Sequence, residues 1–344
     1  MDKKKLKVMM LVHHTLVPPE DLDSPEDPRI NTFLTEFDVK SALLALGHEV
    51  KVVGADDDLT PIRDAINTWQ PDIVFNLLEE FAGNPAFDYY VVSYLEMMKL
   101  PYTGCNPRGL LLARDKSLSK ILFSHHHINV PKFHVFNKDR KIKLPGKLVF
   151  PMIVKPLMEE GSAGISQASY IENEQQLMER VQMIHESRQG HAIAEQYIDG
   201  RELYVTVIGN KRLTVWPFRE LIFNQDNDQI IPIATSRVKW NEKYRDRWNI
   251  SYEAVNKLPA ELTNKISSLC KRAYRILDLN GYARFDLRLQ PDGKVFMLEA
   301  NPNPAIAHNE ECAHSANTAG LDYEMFIQHI LQLGLRAGKK SLLS

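Results

Sequence analysis

Between Tyr282 and Pro304 the chain reads YARFDLRLQPDGKVFMLEANPNP, two runs of alternating apolar and polar residues joined by Asp292-Gly293. Period-two alternation marks half-buried strands, and Asp-Gly between two such runs predicts a hairpin with a two-residue turn. Strict alternation puts Phe285, Leu287 and Leu289 on one face and Arg284, Asp286 and Arg288 on the other. On the second run Phe296, Leu298 and Ala300 alternate with Met297, Glu299 and Asn301. The turn then sets Asp286 opposite Glu299 and Arg284 opposite Asn301. Side chains directly opposite lie about 5 Å apart, where two carboxylates repel unless something neutralises them. A divalent cation does so, and carboxylates with an amide oxygen are the hard donors Mg²⁺ takes, with phosphates completing its shell. The plainer alternative is a polar hairpin face that meets only water. Opposed acids and the rigid turn Asn301-Pro302-Asn303-Pro304 favour the cation site, with Asp286, Glu299 and Asn301 as ligands.

A chain of 344 residues holds two or three domains and buries a large core. A net charge of −2 offers no global attraction to nucleic acid or an anionic membrane. The cysteines, Cys105, Cys270 and Cys312, are scattered and odd in number, which argues against a disulfide framework and fits a reducing cytoplasm. Lysines followed by Val8–Val12 superficially suggest a signal peptide. The apolar run is too short, however, and His13-His14 stands where a small-residue cleavage site belongs, so a first buried strand fits better. No apolar run reaches the length that spans a bilayer.

In chain order, strands are expected at Leu6–Val12, Glu49–Val53 and Ile73–Asn76. Helices are expected at about Thr32–Leu46 (Gly47 just past its end), Thr60–Trp69 with a Thr60 N-cap, and Tyr89–Lys99. This alternation predicts a parallel sheet covered on both faces, with ligands collecting beyond the carboxyl ends of its strands, where His13, His14, Glu79 and Glu80 lie. An α+β unit follows. It has a helix near Lys116–His126, strands at Lys132–Phe136, Met152–Pro156, Ala192–Gln196, Glu202–Ile208 and Leu213–Phe218, and a helix at about Glu174–Glu186. Gly161-Ser162-Ala163-Gly164, just after Lys155, could let backbone N–H groups converge on a phosphate, although a plain turn uses similar residues. Ile230–Trp248, rich in Arg, Lys and Trp, reads as a mobile basic loop over phosphates. Pro259–Leu277 is an amphipathic helix, and Tyr323–Leu335 a closing one.

Several segments together carry a resemblance. They are Leu100-Pro101-Tyr102-Thr103-Gly104, Asp115-Lys116, Val154-Lys155-Pro156, Glu159 to Gly164, Glu195-Gln196-Tyr197-Ile198, Gly200-Arg201-Glu202, Arg284-Phe285-Asp286 and Leu298 to Pro302. In this order they resemble the ATP-grasp superfamily, in its D-alanine–D-alanine ligase branch, over about Ile73 to Leu335. The fold implied is α/β and α+β, an ATP-grasp fold behind an N-terminal parallel α/β (pre-ATP-grasp) domain. Its divisions would be 1–112 (substrate side), 113–191 (central, with the phosphate loop), 192–336 (C-terminal, with the Mg site) and a 337–344 tail. The resemblance implies ATP- and Mg-dependent joining of a carboxylate to an amine through an acyl phosphate.

It also implies roles for single residues. Lys116 and Lys155 would bind ATP phosphates, while the loop from Glu159 to Ser166, with Glu160, Gly161, Ser162, Ala163 and Gly164 as ATP-binding residues, would close over the γ-phosphate. Glu195, Gln196, Tyr197 and Ile198 would contact adenine and Glu202 the ribose. Lys239 would reach the transferred phosphoryl group, Arg284 would stabilise the oxyanion, and Asp286, Glu299 and Asn301 would hold two Mg²⁺ ions, with Mn²⁺ as a substitute. A homodimer, small-molecule acid and amine substrates, and neither nucleic acid nor membrane as partners complete the expectation.

The substrate ends depart from the family. Where it has a glycine-rich turn with an acid, this chain has His13 to Pro19; where it has Pro-Gly-Met and serines, this chain has Pro304 to Glu311. His13, Glu79, Asn303 and His308 are the candidate substrate residues. A zinc site among His308, Glu310, Glu311, Cys312 and His314 matches no metal spacing, and a substrate-facing loop fits better. The leading reading is a carboxylate–amine ligase acting on an amino acid, peptide or related acid. The alternatives are a true D-alanine–D-alanine ligase and a non-catalytic ATP-binding scaffold.

Overall fold

Val8–Val12 carries no polar side chain and must hide both faces. It does so in β1 (Lys7–His13), the middle of a parallel sheet. The computed structural model describes residues 5–341 except 145, 147–148, 160, 188–189, 224–229 and 256, and side chains only as far as 338. After β1 come α1 (Leu34–Ala45), β2 (Glu49–Ala55), α2 (Thr60–Trp69), β3 (Ile73–Asn76) and α3 (Asp88–Met97), and the strands order β2-β1-β3. Val8, Met10 and Val12 meet Val39 and Leu43 of α1 on one face. Met9 and Leu11 meet Ile62 of α2 and Val91 and Leu95 of α3 on the other, the two-sided cover that an unbroken apolar strand requires. The predicted helix at Thr32 is instead a 3₁₀ turn, Pro28–Thr32, followed by α1. Leu59, not Thr60, is the N-cap of α2 and offers no side-chain cap, while Asp58 before it accepts from the Thr60 N–H at 2.8 Å.

The second unit opens with α4 (Pro107–Arg114) and α5 (Lys116–His125), the latter capped by Asp115. It continues with β4 (Phe133–Phe136), β5 (Met152–Pro156), β6 (Tyr170–Ile171), α6 (Glu174–Ser187) and β7 (Ala192–Gln196). Its antiparallel sheet orders β4-β7-β5-β6, with Leu177, Val181 and Ile184 of α6 packed on one face. The division expected at 191/192 therefore falls one strand early, because β7 is an inner strand of this sheet.

The third unit contains β8 (Arg201–Ile208), β9 (Thr214–Val215), β10 (Arg219–Ile222), α7 (Ser236–Trp240), α8 (Glu242–Trp248), β11 (Ser251–Ala254) and α9 (Ala260–Ile276). These are followed by β12 (Tyr282–Leu289), β13 (Val295–Pro302), α10 (Glu311–Thr318) and α11 (Tyr323–Ser341). The strands order β11-β10-β8-β12-β13, with β9 beside β8. Ile266, Cys270 and Ala273 of α9 pack on Val205, Phe285 and Leu287. Two expectations fail here: the strand at Leu213–Phe218 is cut to β9, and the basic loop is two short helices; β10 and β11 carry no alternation signal strong enough to be read. Helix α11 runs past Leu335 and packs back on α1 and β3, so the expected tail at 337 begins as helix, and residues 342–344 lie outside the described ones. No helix among the described residues is long and apolar enough to cross a membrane.

Candidate active site

The β12–β13 ladder pairs Asp286 with Glu299 and Arg284 with Asn301, as expected, but by another route. The turn spans Gln290–Lys294: the Gln290 N–H donates to the Lys294 carbonyl and the Gly293 N–H to the Gln290 carbonyl, each at 2.9 Å. Pro291 and Asp292 occupy the corner, and Gly293 takes the left-handed position at φ +80°. Leu289 therefore meets Val295 and Leu287 meets Met297, one residue out of the expected register, until a bulge at Leu298 restores it. The bulge also switches faces. Val295, Met297 and Ala300 point into the core with Phe285 and Leu287, whereas Phe296 shares the face of Glu299, contrary to strict alternation. The Leu298 carbonyl, unpaired in the ladder, accepts from the Lys120 ammonium.

Lys120 is 1% exposed, and the sequence reading missed it. Its Nζ lies 3.2 Å from Glu195 Oε1; Lys155 Nζ lies 3.2 Å from Glu195 Oε2 and 3.7 Å from Glu299 Oε2. Burial alone would raise the Glu299 carboxyl, but Lys155, Lys116, Lys239 and Lys120 overcome it and hold the group well below the usual carboxylate range. Asp286 is raised, first by burial and then by facing Glu299, although Arg284 and Lys239 pull the other way. The Arg284 fork takes Asp286 at 2.8 and 3.1 Å through Nε and Nη2. Its Nη1 lies 3.7 Å from Glu311, and its plane sits 4.9 Å from the Tyr204 ring. The Asn301 amide has a buried nitrogen with no hydrogen-bond partner among the described residues. An amide's two ends exchange by a flip, so that position equally suits an oxygen donor to a cation.

A cleft with about 610 Å³ of space, counting its mouth, separates the middle sheet from the large one. Lys155, Ser162, Glu195, Gln196, Tyr197, Ile198, Glu202, Lys239, Asp286 and Glu299 all line it, with Ile153, Ile165, Ile233 and Leu298 as apolar walls. Both Glu195 oxygens face lysines. Glu202 accepts from Arg288 at 2.6 Å and from the Tyr204 hydroxyl at 2.9 Å, so both of its oxygens are engaged too. Arg288, also unforeseen, stacks 5.5 Å from the Tyr197 ring. Lys116 donates to the Glu159 carbonyl at the root of the glycine-bearing loop. In that loop Gly161, Ser162 and Gly164 take positive φ values of 61, 60 and 74°. The loop is stitched to the segment before and within α7. Ser162 Oγ donates to the Ala234 carbonyl at 2.7 Å, Trp240 Nε1 to the Gly161 carbonyl at 2.9 Å, and the Ser236 N–H to the Ile165 carbonyl at 3.1 Å. Ala163 belongs to the same turn, and Glu160 lies outside the described residues.

The substrate candidates scatter. His13 ends β1 and faces Asp56 and Glu80 at 3.5 Å, Glu79 is exposed after β3, and His308 rests on Tyr323 with ring centroids 5.1 Å apart. Asn303 Oδ1 accepts from the Cys105 N–H at 2.8 Å and fills the space a Cβ at Gly104 would need. Cys312 is buried against Thr206, which disposes of the zinc reading near His314. Glu310 and Glu311 open α10 beside Arg284, and burial, then the neighbouring Glu311, push the Glu310 carboxyl up to about 7.

The family profile described as D-ala D-ala ligase C-terminus matches residues 122–332. This chain belongs to the D-alanine–D-alanine ligase family. It is 31% identical over 307 residues to the uncharacterized protein y4sG of Sinorhizobium fredii, covering 87% of this chain and 86% of that one. It is 26% identical over 313 residues to the D-alanine–D-alanine ligase of Pelagibacter ubique, covering 88% and 93%. The fold matches that of the Bacillus anthracis D-alanine–D-alanine ligase solved with ATP, at a TM-score of 0.73 and 20% identity, over 97% of this chain and 99% of that one. As a ligase of this family with the ATP-grasp fold, the chain uses ATP to form an amide.

Proposed function

We propose that this cleft joins a carboxylate to an amine by way of an acyl phosphate, with the reacting groups seated over the β12–β13 hairpin. One observation carries the reading: Asp286 and Glu299 oppose each other in a pocket of lysines, inside the cleft of an ATP-grasp ligase. The donor carboxylate attacks the γ-phosphorus and ADP leaves. The acceptor amine then attacks the acyl carbon, phosphate departs, and the amine nitrogen loses a proton. Lys155, Lys116 and Lys239, together with Lys120, balance phosphate charge. Tyr197 and Ile198 border the purine, and the Ser162 loop covers the γ-phosphate. Nη1 of Arg284, which does not hold Asp286 and lies 3.7 Å from Glu311, is the donor for the tetrahedral oxyanion. Asp286, Glu299 and the orphaned Asn301 amide fit a hard cation, two Mg²⁺ ions with Mn²⁺ as a substitute, which supplies neutralisation of phosphoryl charge.

The acid pair Glu310-Glu311 beside Arg284 favours an acceptor that arrives as a protonated amine. Three buried free cysteines and the demand for ATP fit the cytoplasm, and the net charge of −2 fits small-molecule substrates rather than nucleic acid or membrane. A homodimer is the expected assembly. The test is Mg-dependent ADP release against pools of amino acids, D-alanine among them, dipeptides and amines. Release that needs two partners supports ligation. Release with D-alanine alone would make the chain a D-alanine–D-alanine ligase, and tight ATP binding with no turnover from any pool would mark a scaffold.

A further inference from the structure

Far from the hairpin in sequence, the carboxyl ends of β1 and β2 gather three potential metal ligands. His13 Nε2 lies 3.5 Å from Asp56 Oδ1, and His14 Nδ1 lies 3.6 Å from Asp56 Oδ2. One atom from each of these residues falls within 4.8 Å of the other two. The parallel register explains the meeting: His13 pairs with Ala55, so Asp56 is the first residue beyond the end of β2, level with His14. Glu80, beyond the end of β3, stands 3.5 Å from His13 Nε2 on another side.

These separations are longer than N–H···O hydrogen bonds, which cluster at about 2.7–3.2 Å. With Zn–N and Zn–O bonds of about 2.0–2.2 Å, the edges of a tetrahedral site are about 3.4 Å long, and the two histidines come near that length at the two different oxygens of Asp56. His13 Nδ1 accepts from the Thr15 N–H at 3.4 Å and lies 2.7 Å from the Thr15 hydroxyl. These contacts on the far ring nitrogen hold Nε2 toward Asp56 and Glu80.

We infer that His13, His14 and Asp56 form a site for a divalent ion of the zinc class, a mixed nitrogen–oxygen set unlike the all-oxygen donors at Glu299. Three protein ligands leave one position open, as in sites whose ion holds an exchangeable water or an incoming donor atom. The site stands at the strand ends where ligands of parallel sheets collect, and it does not depend on the proposed ligase chemistry.

The test uses the full chain, stripped with chelator and titrated with Co²⁺, then competed with Zn²⁺. Four-coordinate Co²⁺ gives intense visible bands that a six-coordinate ion at an all-oxygen site lacks, which separates the two sites. The expected result is one equivalent with intense bands, abolished by Zn²⁺, and affinity at least about tenfold weaker in His14→Ala and Asp56→Asn. His14 is half exposed, so its replacement leaves the fold intact by circular dichroism. Weak six-coordinate bands only, or equal affinity in both variants, overturns the assignment.

Discussion

Replacing Glu299 by glutamine separates what the hairpin does for the fold from what it does for the reaction. Lys155 Nζ lies 3.7 Å from the Glu299 carboxylate, an attraction of about 4.5 kcal/mol at an effective dielectric of about 20. Against it stand the facing Asp286, which at about 5 Å repels by about 3 kcal/mol, and several kcal/mol for keeping a carboxylate out of water. The other lysines add attraction, but Lys120 and Lys155 already share Glu195, so the terms come close to cancelling. Glu299→Gln should therefore melt within about 3 °C of the parent, a change of about 1 kcal/mol. Turnover should fall by about 10²–10³-fold, the usual cost of removing one group that meets developing charge. A coupled ADP-release assay and a thermal melt, each run with and without Mg²⁺ and ATP, read both quantities. Turnover within threefold of the parent would refute the metal assignment. A melt lowered by 10 °C or more would mean that Glu299 is mainly a structural anion, and the balance above is wrong.

Arg284→Lys keeps the charge and loses the fork, so amide formation should fall about a hundredfold while the KM for ATP moves less than threefold; equal effects on both would remove Arg284 from the second step. Arg288→Ala strands the buried Glu202 carboxylate and should cost about 3 kcal/mol in urea unfolding while raising the KM for ATP, and an unchanged midpoint would show that water replaces the guanidinium. Glu36, buried on α1, has its carboxyl raised by burial to about 7 from 4.5. A raised acid favours the fold below its ordinary pKa, and that contribution is lost as pH climbs through the folded value. Glu36→Gln should thus be more stable than the parent by about 2–3 kcal/mol at pH 8 and equal to it at pH 4.5; a difference that does not change with pH would contradict the shift.

The parts legible in the sequence were those carried by local period and turn chemistry. Met152–Pro156 and Ala192–Gln196 are strands over the expected residues, and the Asp286–Glu299 pairing is real. That pairing was reached through two errors that cancel, since a longer turn slips the register by one and the Leu298 bulge slips it back. Neither slip leaves a trace in alternation, because a bulge is decided by what the strand packs on. Met297 needs the core under α9, and the freed Leu298 carbonyl needs Lys120. Lys120 itself, in SLSKILF, reads as a solvated lysine of an amphipathic helix. Only the meeting of α5 with β7 and β13 turns it into a buried cation. The same limit hid Arg288, whose partner Glu202 lies 86 residues away, and it made the Ile230–Trp248 segment look like a loop. Its helices are too short for a period to show, and the segment is held by Ser162 at Ala234 and by Gly161 at Trp240 of α7.

The charges around the hairpin explain why so many ionised groups tolerate burial, and what they wait for. Glu195 and Glu299 hold Lys120 and Lys155, Asp286 holds Arg284, and Glu202 holds Arg288. Lys116 and Lys239 also act on Glu299, so positive charge gathers at this end of the cleft, a field that would suit the polyphosphate of the proposed reaction. Past Arg284 the sign reverses, where Glu311 and the raised Glu310 begin α10. A field that runs from positive at Lys155 to negative at Glu311, with the Arg284 guanidinium between, would draw an anionic donor to one end and a cationic acceptor to the other, and the proposed bond would form beside that guanidinium.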